Sequence, residues 1–337
     1  MRLHINKSFS ILLLVLCSLL IGGCSSPSAK SKEASAHTND VSYTVTDDRG
    51  TVTTIKKKPM RILTCTTALD EIVLGLVEPE RLVAINHVLS DPKRSNITSL
   101  ADRIPVRIQR SPSIETVLSL KPDIVLAQDW VPYDNVQSWR EMGIAVVVFR
   151  QSNSVETIRH NIRLAAEAIG EKERGEKLVQ KMDTELMNLK KRIELMPKEK
   201  RGKRIALVSI MPAYGGAGCI FDDICKYINC INAKAEAGNR LGQVMTKEQF
   251  ISCNPDYIFL PMYLDTPTRT EIYGSDYYSD PSLSTLSAVQ NKQVCAPWAH
   301  YIYNVSQDVV FGIQEAARMV YGEEFAQPYN RFLTVAN

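Results

Sequence analysis

The sequence predicts an α/β protein of two lobes, each built on a parallel sheet, joined by a long rigid helix. Three observations carry this. Short apolar runs alternate with capped helical stretches on both sides of the chain's middle. The middle itself, from Ser154 to Met196, repeats apolar residues at three- and four-residue steps. A stretch of the first half also recurs in the second.

The amino terminus stands apart from this pattern. Arg2, His4 and Lys7 precede an apolar run, Ile11 to Ile21. It is too short to span a bilayer and has the flanks of an export signal. The run closes Leu20-Ile21-Gly22-Gly23-Cys24, which resembles a bacterial lipobox. That implies removal of residues 1–23 and lipidation of Cys24. Residues 24–42, rich in Ser, Ala and Lys with no apolar period, read as a flexible tether. Charge is nearly balanced, 40 Lys and Arg against 37 Asp and Glu, and two of the bases lie before Cys24. Nothing here calls for nucleic acid or an anionic membrane as partner.

Residues 43–153 read as the N-terminal lobe. Tyr43 to Ile55 is a hairpin turning at Gly50. Arg61–Thr64, Leu82–Ile85, Ile124–Ala127 and Ile144–Phe149 are strands. Thr66 or Thr67 caps a helix to Leu76, and Ser113 caps another from Ile114 to Leu120. Residues 154–197 form the connecting segment, broken at Gly170, with a helix from about Glu171 to Met196. Its apolar stripe, Leu178, Met182, Leu186, Leu189 and Ile193, faces inward. Pro197 and Gly202 stop it.

Residues 198–337 form the C-terminal lobe. Arg204–Ile210, Ile258–Leu260 and Val294–Ala296 read as strands. Phe221–Ile228 and about Ser306–Tyr321 read as helices, and Thr246 with Gln249 forms a capping box. Ser113 to Leu126 aligns without a gap to Thr246 to Phe259. Glu115 meets Glu248, and Pro122-Asp123 meets Pro255-Asp256. This predicts an internal duplication, hence two Rossmann-like lobes. The four small residues Gly215 to Gly218 allow a close backbone approach. They match neither GxGxxG nor a P-loop. Beyond Cys24 there are six cysteines and no CxxC. Cys225 and Cys230 bracket a helix, on different faces, and buried free thiols are expected.

Ligands of open parallel sheets sit beyond the carboxyl ends of the strands. His87, Trp130, Tyr133 and Arg150 fall there in the first lobe. Tyr214, Tyr263, Trp298, His300, Tyr301 and Tyr303 fall there in the second. A cleft rich in aromatics with few polar groups suits a large, partly planar ligand. His87, Trp130, Tyr214, Trp298, His300 and Tyr301 are the candidate ligand-binding residues.

At these residues the chain resembles the class III substrate-binding proteins of ABC importers, which capture ferric siderophores, haem or cobalamin. The resemblance rests on Val45-Thr-Asp-Asp-Arg-Gly-Thr-Val, Lys58-Pro-Met-Arg-Ile, Ile114 to Val125, the central helix and Thr246-Lys-Glu-Gln-Phe. It covers about Thr44 to Phe332, with the family domain at about 60–328. It implies two lobes around a cleft, a rigid connecting helix, no catalysis and no cofactor beyond the transported metal complex. It also implies an ABC permease dimer with its ATPase as partner. One glutamate per lobe would dock on that permease, and by motif these match Glu115 and Glu248. Trp130, Tyr214 and Trp298, and more loosely His87, match the family's cleft positions. The expected protein is an exported monomer, lipid-anchored to the cell membrane. One alternative is a receptor for a bare divalent metal, which needs convergent His and carboxylate ligands. The other is a surface enzyme acting on a tetrapyrrole, against which stands the absence of GxSxG, HExxH and P-loop motifs.

Overall fold

The computed structural model describes residues 42–263 and 279–336. Cys24, the export signal, nearly all of the tether and the loop positions Arg269, Tyr273, Tyr277 and Tyr278 lie outside the described residues.

The chain opens with an antiparallel hairpin, β1 (Tyr43–Thr46) and β2 (Val52–Ile55). Asp47 builds its turn, accepting through Oδ1 from Arg49 N and Thr51 N, while Gly50 takes φ +77°. The N-terminal half then runs β3 (Ile62–Thr64), α1 (Thr67–Leu76), β4 (Ile85–Asn86), α2 (Thr98–Ala101), β5 (Arg107–Ile108) and α3 (Ile114–Leu120). It continues through β6 (Ile124–Gln128), α4 (Tyr133–Glu141) and β7 (Ala145–Phe149). Strands β3, β6 and β7 pair in parallel. Leu82 bridges Ile62 on the far side of β3. The strand expected at 82–85 is thus reduced to that bridge, and the chain pairs only further on, as β4 with β5.

Two helices follow, α5 (Val155–Ala168) and α6 (Lys172–Glu194). They do not form one continuous rod. Gly170 at φ +73° reverses the chain, and α6 lies antiparallel against α5. Arg159 meets Asp183 at 2.7 Å and Arg163 meets Glu176 at 2.9 Å. A Cβ on Gly175 would lie 2.5 Å from Ala166 Cβ, so only glycine lets the helices approach this closely. Helix α6 spans about 35 Å, and its buried stripe packs against helices of both halves.

The C-terminal half runs β8 (Arg204–Leu207), α7 (Ile220–Tyr227), β9 (Ile231–Asn232), α8 (Ala233–Glu236), α9 (Lys247–Cys253) and β10 (Tyr257–Phe259). It ends with α10 (Ser287–Gln290), β11 (Val294–Cys295), α11 (Ala299–Ile302) and α12 (Val309–Tyr321). Its parallel sheet has the order β9-β8-β10-β11. β8 stops at Leu207, short of the expected Ile210.

The duplication holds in three dimensions. Both sheets place strands in the same order, with β8 taking the place of β3 and β10 that of β6. Helices α3 and α9 are capped by Ser113 and Thr246, and end on left-handed Lys121 and Asn254. After each comes a Pro-Asp turn. Asp123 Oδ2 accepts from Met60 N and Arg61 N, and Asp256 Oδ2 accepts from Arg204 N. Both arginines also donate to the carbonyls that end the preceding helix.

One sequence expectation is made specific here and another changes. The glycine run approaches its own chain. A Cβ on Gly216 would lie 2.6 Å from Asn239 O, and Gly215 sits over Leu207 O. Cys230 does not point away from Cys225. Left-handed Asn229 folds the chain back, so that Cys230 N donates to Cys225 O at 2.9 Å and both side chains enter one core. The thiols are free.

Candidate functional site

The two halves meet along a buried polar seam. Glu71 of α1 accepts from Asn304 Nδ2 at 2.9 Å, and its carbonyl accepts from Gln307 Nε2 at 2.8 Å. Asn96 Nδ2 donates to Asp308 Oδ2 at 2.9 Å, and Leu333 N to Asp308 Oδ1 at 2.8 Å. The C-terminal segment returns across α1, where Val335 N donates to Gly75 O. These acids face amides and hydroxyls, with Arg331 the one cation acting on Asp308. Burial therefore pushes Glu71 up to about 7 and Asp308 well above the carboxylate range. Neighbouring Asp70, bonded to the Thr64 hydroxyl and Asn86 N, is pushed by burial to about 8.

Above the seam lies a cavity of about 110 Å³ between the halves. Thr67, Glu71 and Val88 line one side, and His300, Tyr303 and Asn304 the other. It is the space of a few waters, below that of a pocket enclosing a drug-sized ligand. Arg94, also lining it, stacks its guanidinium 5.1 Å from the Tyr263 ring centre.

His300 is buried, its ring 4.0 Å from Tyr301 and 4.1 Å from Tyr329 between centroids. Burial lowers its pKa to about 3, so the imidazole is neutral at pH 7. Nε2 faces Tyr329 O at 3.2 Å, and a carbonyl only accepts, so Nε2 carries the proton. Nδ1 keeps a lone pair and has no hydrogen-bond partner among the described residues.

The other candidate residues fall as follows. His87 is exposed, with Nδ1 3.4 Å from Ile108 O. Trp130 is half-buried, with Arg110 stacked 4.3 Å from its ring centre and its indole N–H donated to Gln128. Tyr214 meets Tyr303 edge-on at 5.7 Å, and Trp298 meets Tyr329 at 5.0 Å. Tyr301 is a correction. It is 0% exposed, and its hydroxyl bonds the carbonyls of Pro328 and Tyr329, so it holds the C-terminal segment and offers no surface to a ligand. Arg150 leans on Asp48 at 3.9 Å.

Glu115 and Glu248 are exposed in the first turns of α3 and α9. The Ser113 hydroxyl and its own N–H hold Glu115 below the carboxylate range. For Glu248, its own N–H and the Thr246 hydroxyl do the same.

Sequence reasoning missed Glu71, Arg94, Asn96 and Asn304. A signal existed for Glu71, since Asp70 and Glu71 interrupt an otherwise apolar helix. Arg94 and Asn96 lie in a loop without period.

Two parallel sheets of matching strand order thus meet at a small polar cavity. The profile of the periplasmic binding protein family matches residues 62–296, and the chain belongs to that family, whose members serve ABC transporters as binding proteins and are not enzymes. It is 24% identical to the uncharacterized ABC transporter substrate-binding lipoprotein YvrC of Bacillus subtilis, over 93% of this chain and 97% of that protein. It is 23% identical to the Fe(3+)-citrate-binding protein YfmC of the same organism, over 87% and 90%. Among solved structures, the periplasmic haem-binding protein RhuT from Roseiflexus sp. RS-1 superposes with TM-score 0.63 at 20% identity. That match covers 79% of this chain and 99% of the other.

Proposed function

We propose that this protein captures an anionic iron complex, a ferric siderophore or haem, in the cleft between two lobes and delivers it to an ABC permease. The observation that carries the reading is His300. A neutral buried imidazole whose lone pair has no partner among the described residues, lining the cavity between the halves, suits a metal centre whose other ligands the solute brings. Arg94 and Arg110, each stacked on an aromatic ring and neither in an ion pair among the described residues, suit carboxylate, catecholate or propionate groups. Among the described residues no group of three His, Cys, Asp or Glu stands close enough to hold a bare metal, which disfavours a free-ion receptor. The small cavity is then the floor on which part of the complex rests. In this reading α6 is the rigid connection between the lobes, Cys24 carries the lipid anchor outside the cytoplasm, and Glu115 and Glu248 dock on the permease.

The test is the absorption spectrum of protein purified from its native host. A Soret band identifies haem, and a visible charge-transfer band a ferric siderophore. Either band should be weakened or shifted by His300→Ala. A corrinoid spectrum, or an iron-complex spectrum untouched by that substitution, would overturn the assignment to His300.

A further inference from the structure

We propose that a second pocket, on the α9 side of the C-terminal sheet, binds a small oxyanion, a carboxylate or an inorganic anion, on the ammonium of Lys234. This pocket lies past the carboxyl end of β8, and its Ser209 accepts from Tyr303, which lines the cavity between the halves. Its volume is about 470 Å³, and its walls are the chain just past β8, including Ser209, and the approach to α9, including Thr246 and Lys247.

Lys234 is only 6% exposed. Its ammonium donates to Tyr214 O at 3.0 Å and Leu207 O at 3.5 Å. Those two carbonyls use two of its three donors, and dipoles do not cancel a charge. Among the described residues no carboxylate pairs with it. Asp280, the one acid among the described residues of the lining, is held by Lys247 at 2.6 Å. Those residues together leave one net positive charge. Burial lowers the pKa of Lys234, as expected of a cation without a counter-ion. A second donor stands ready. Ser209 Oγ accepts from Met211 N and from the Tyr303 hydroxyl, which leaves its own proton to give.

The duplication supplies an independent argument. By register Ile62 and Ile205 are equivalent, since they pair with Ile124 and Tyr257. Leu82 sits beside Ile62 as Asn232 sits beside Ile205, so two residues on, Lys234 takes the place of Ala84. Both are buried, and the N-terminal half fills this place without a cation.

The experiment is calorimetric titration of the full protein with succinate and, separately, with inorganic phosphate, both at fixed ionic strength. Saturable binding of one names the class, carboxylate or inorganic anion. Lys234→Met should weaken that binding about 10- to 100-fold, as losing a charged hydrogen bond does. Should that variant fail to fold, the Cε resonance of Lys234 in isotopically labelled wild-type protein gives the answer, since it must shift saturably with the same probe. No saturable binding of either probe by the wild type, or equal binding by wild type and Lys234→Met, overturns the proposal. The spectrum of the cleft ligand is read independently, so failure here leaves the proposed function standing.

Discussion

In the N-terminal half the chain passes from β3 to α1 through Cys65 and Thr66 alone, while in the C-terminal half it needs residues 208–219 to pass from β8 to α7. The sheets, caps and Pro-Asp turns correspond; the rims do not. On the short side, the first turn of α1 brings Thr67, Ala68 and Glu71 straight to the cavity. On the long side, the extra loop carries Tyr214 to Tyr303 and rests Gly215 and Gly216 on Leu207 and Asn239. A duplicated scaffold is thus kept by local hydrogen bonds, while the loops at the carboxyl ends of its strands diverge.

The largest expected effect lies where the halves cease to correspond, at the seam. Glu71 is held in its protonated form up to about 7, against 4.5 for an ordinary glutamate. The folded state therefore binds more protons than the unfolded chain between those values, and stability falls as pH rises through that window. The loss due to Glu71 is about 3 kcal/mol, complete above its folded pKa. Asp70, raised from 3.8 to about 8, extends the decline upward. Denaturant melts from pH 4 to 9 should show this slope, and Glu71→Gln should flatten it. A stability that climbs with pH over that range would contradict a seam of protonated acids.

Next come the matched turns. Asp123→Ala should cost about 1.5–3 kcal/mol by urea unfolding, from loss of two charge-assisted bonds. Asp256→Ala, which loses one, should cost less. An equal or inverted ranking would break the correspondence of the two units. Gly216→Ala tests the loop that only the C-terminal half possesses. Its new methyl meets backbone, not a yielding side chain, so a loss of about 1–3 kcal/mol is expected from the same measurement. An unchanged midpoint would mean that the loop does not rest on Asn239.

Smaller effects belong to the cleft walls and the docking acids. Trp130→Ala and Trp298→Ala should each weaken binding of the native ligand by about 1–2 kcal/mol in calorimetry, with folding intact. Wild-type affinity in both would remove them from the site. Glu115→Ala or Glu248→Ala alone should change uptake little, because single exposed acids contribute weakly. The pair together should depress uptake at limiting ligand while leaving ligand affinity untouched. Normal uptake by the double variant would deny the two acids a shared role.

The sequence by itself determined the elements and the repeat. Ser113 and Thr246 announced their helices because a cap acts on an N–H three residues away. The Pro-Asp turns were legible for the same reason. Gly170 announced a break, though not that α6 would fold back along α5. Tertiary structure alone decided the site. Glu71 meets Asn304 and Asn96 meets Asp308 across more than 200 residues, and no local pattern encodes such a meeting. Tyr301 looked like a cleft aromatic and became a core anchor, because the C-terminal segment arrives to receive its hydroxyl. Gly215 and Gly216 announced a close backbone approach, and tertiary structure decided that the neighbour is their own chain. Caps and turns are settled by neighbours in sequence, whereas burial and partnership depend on what the rest of the chain brings alongside.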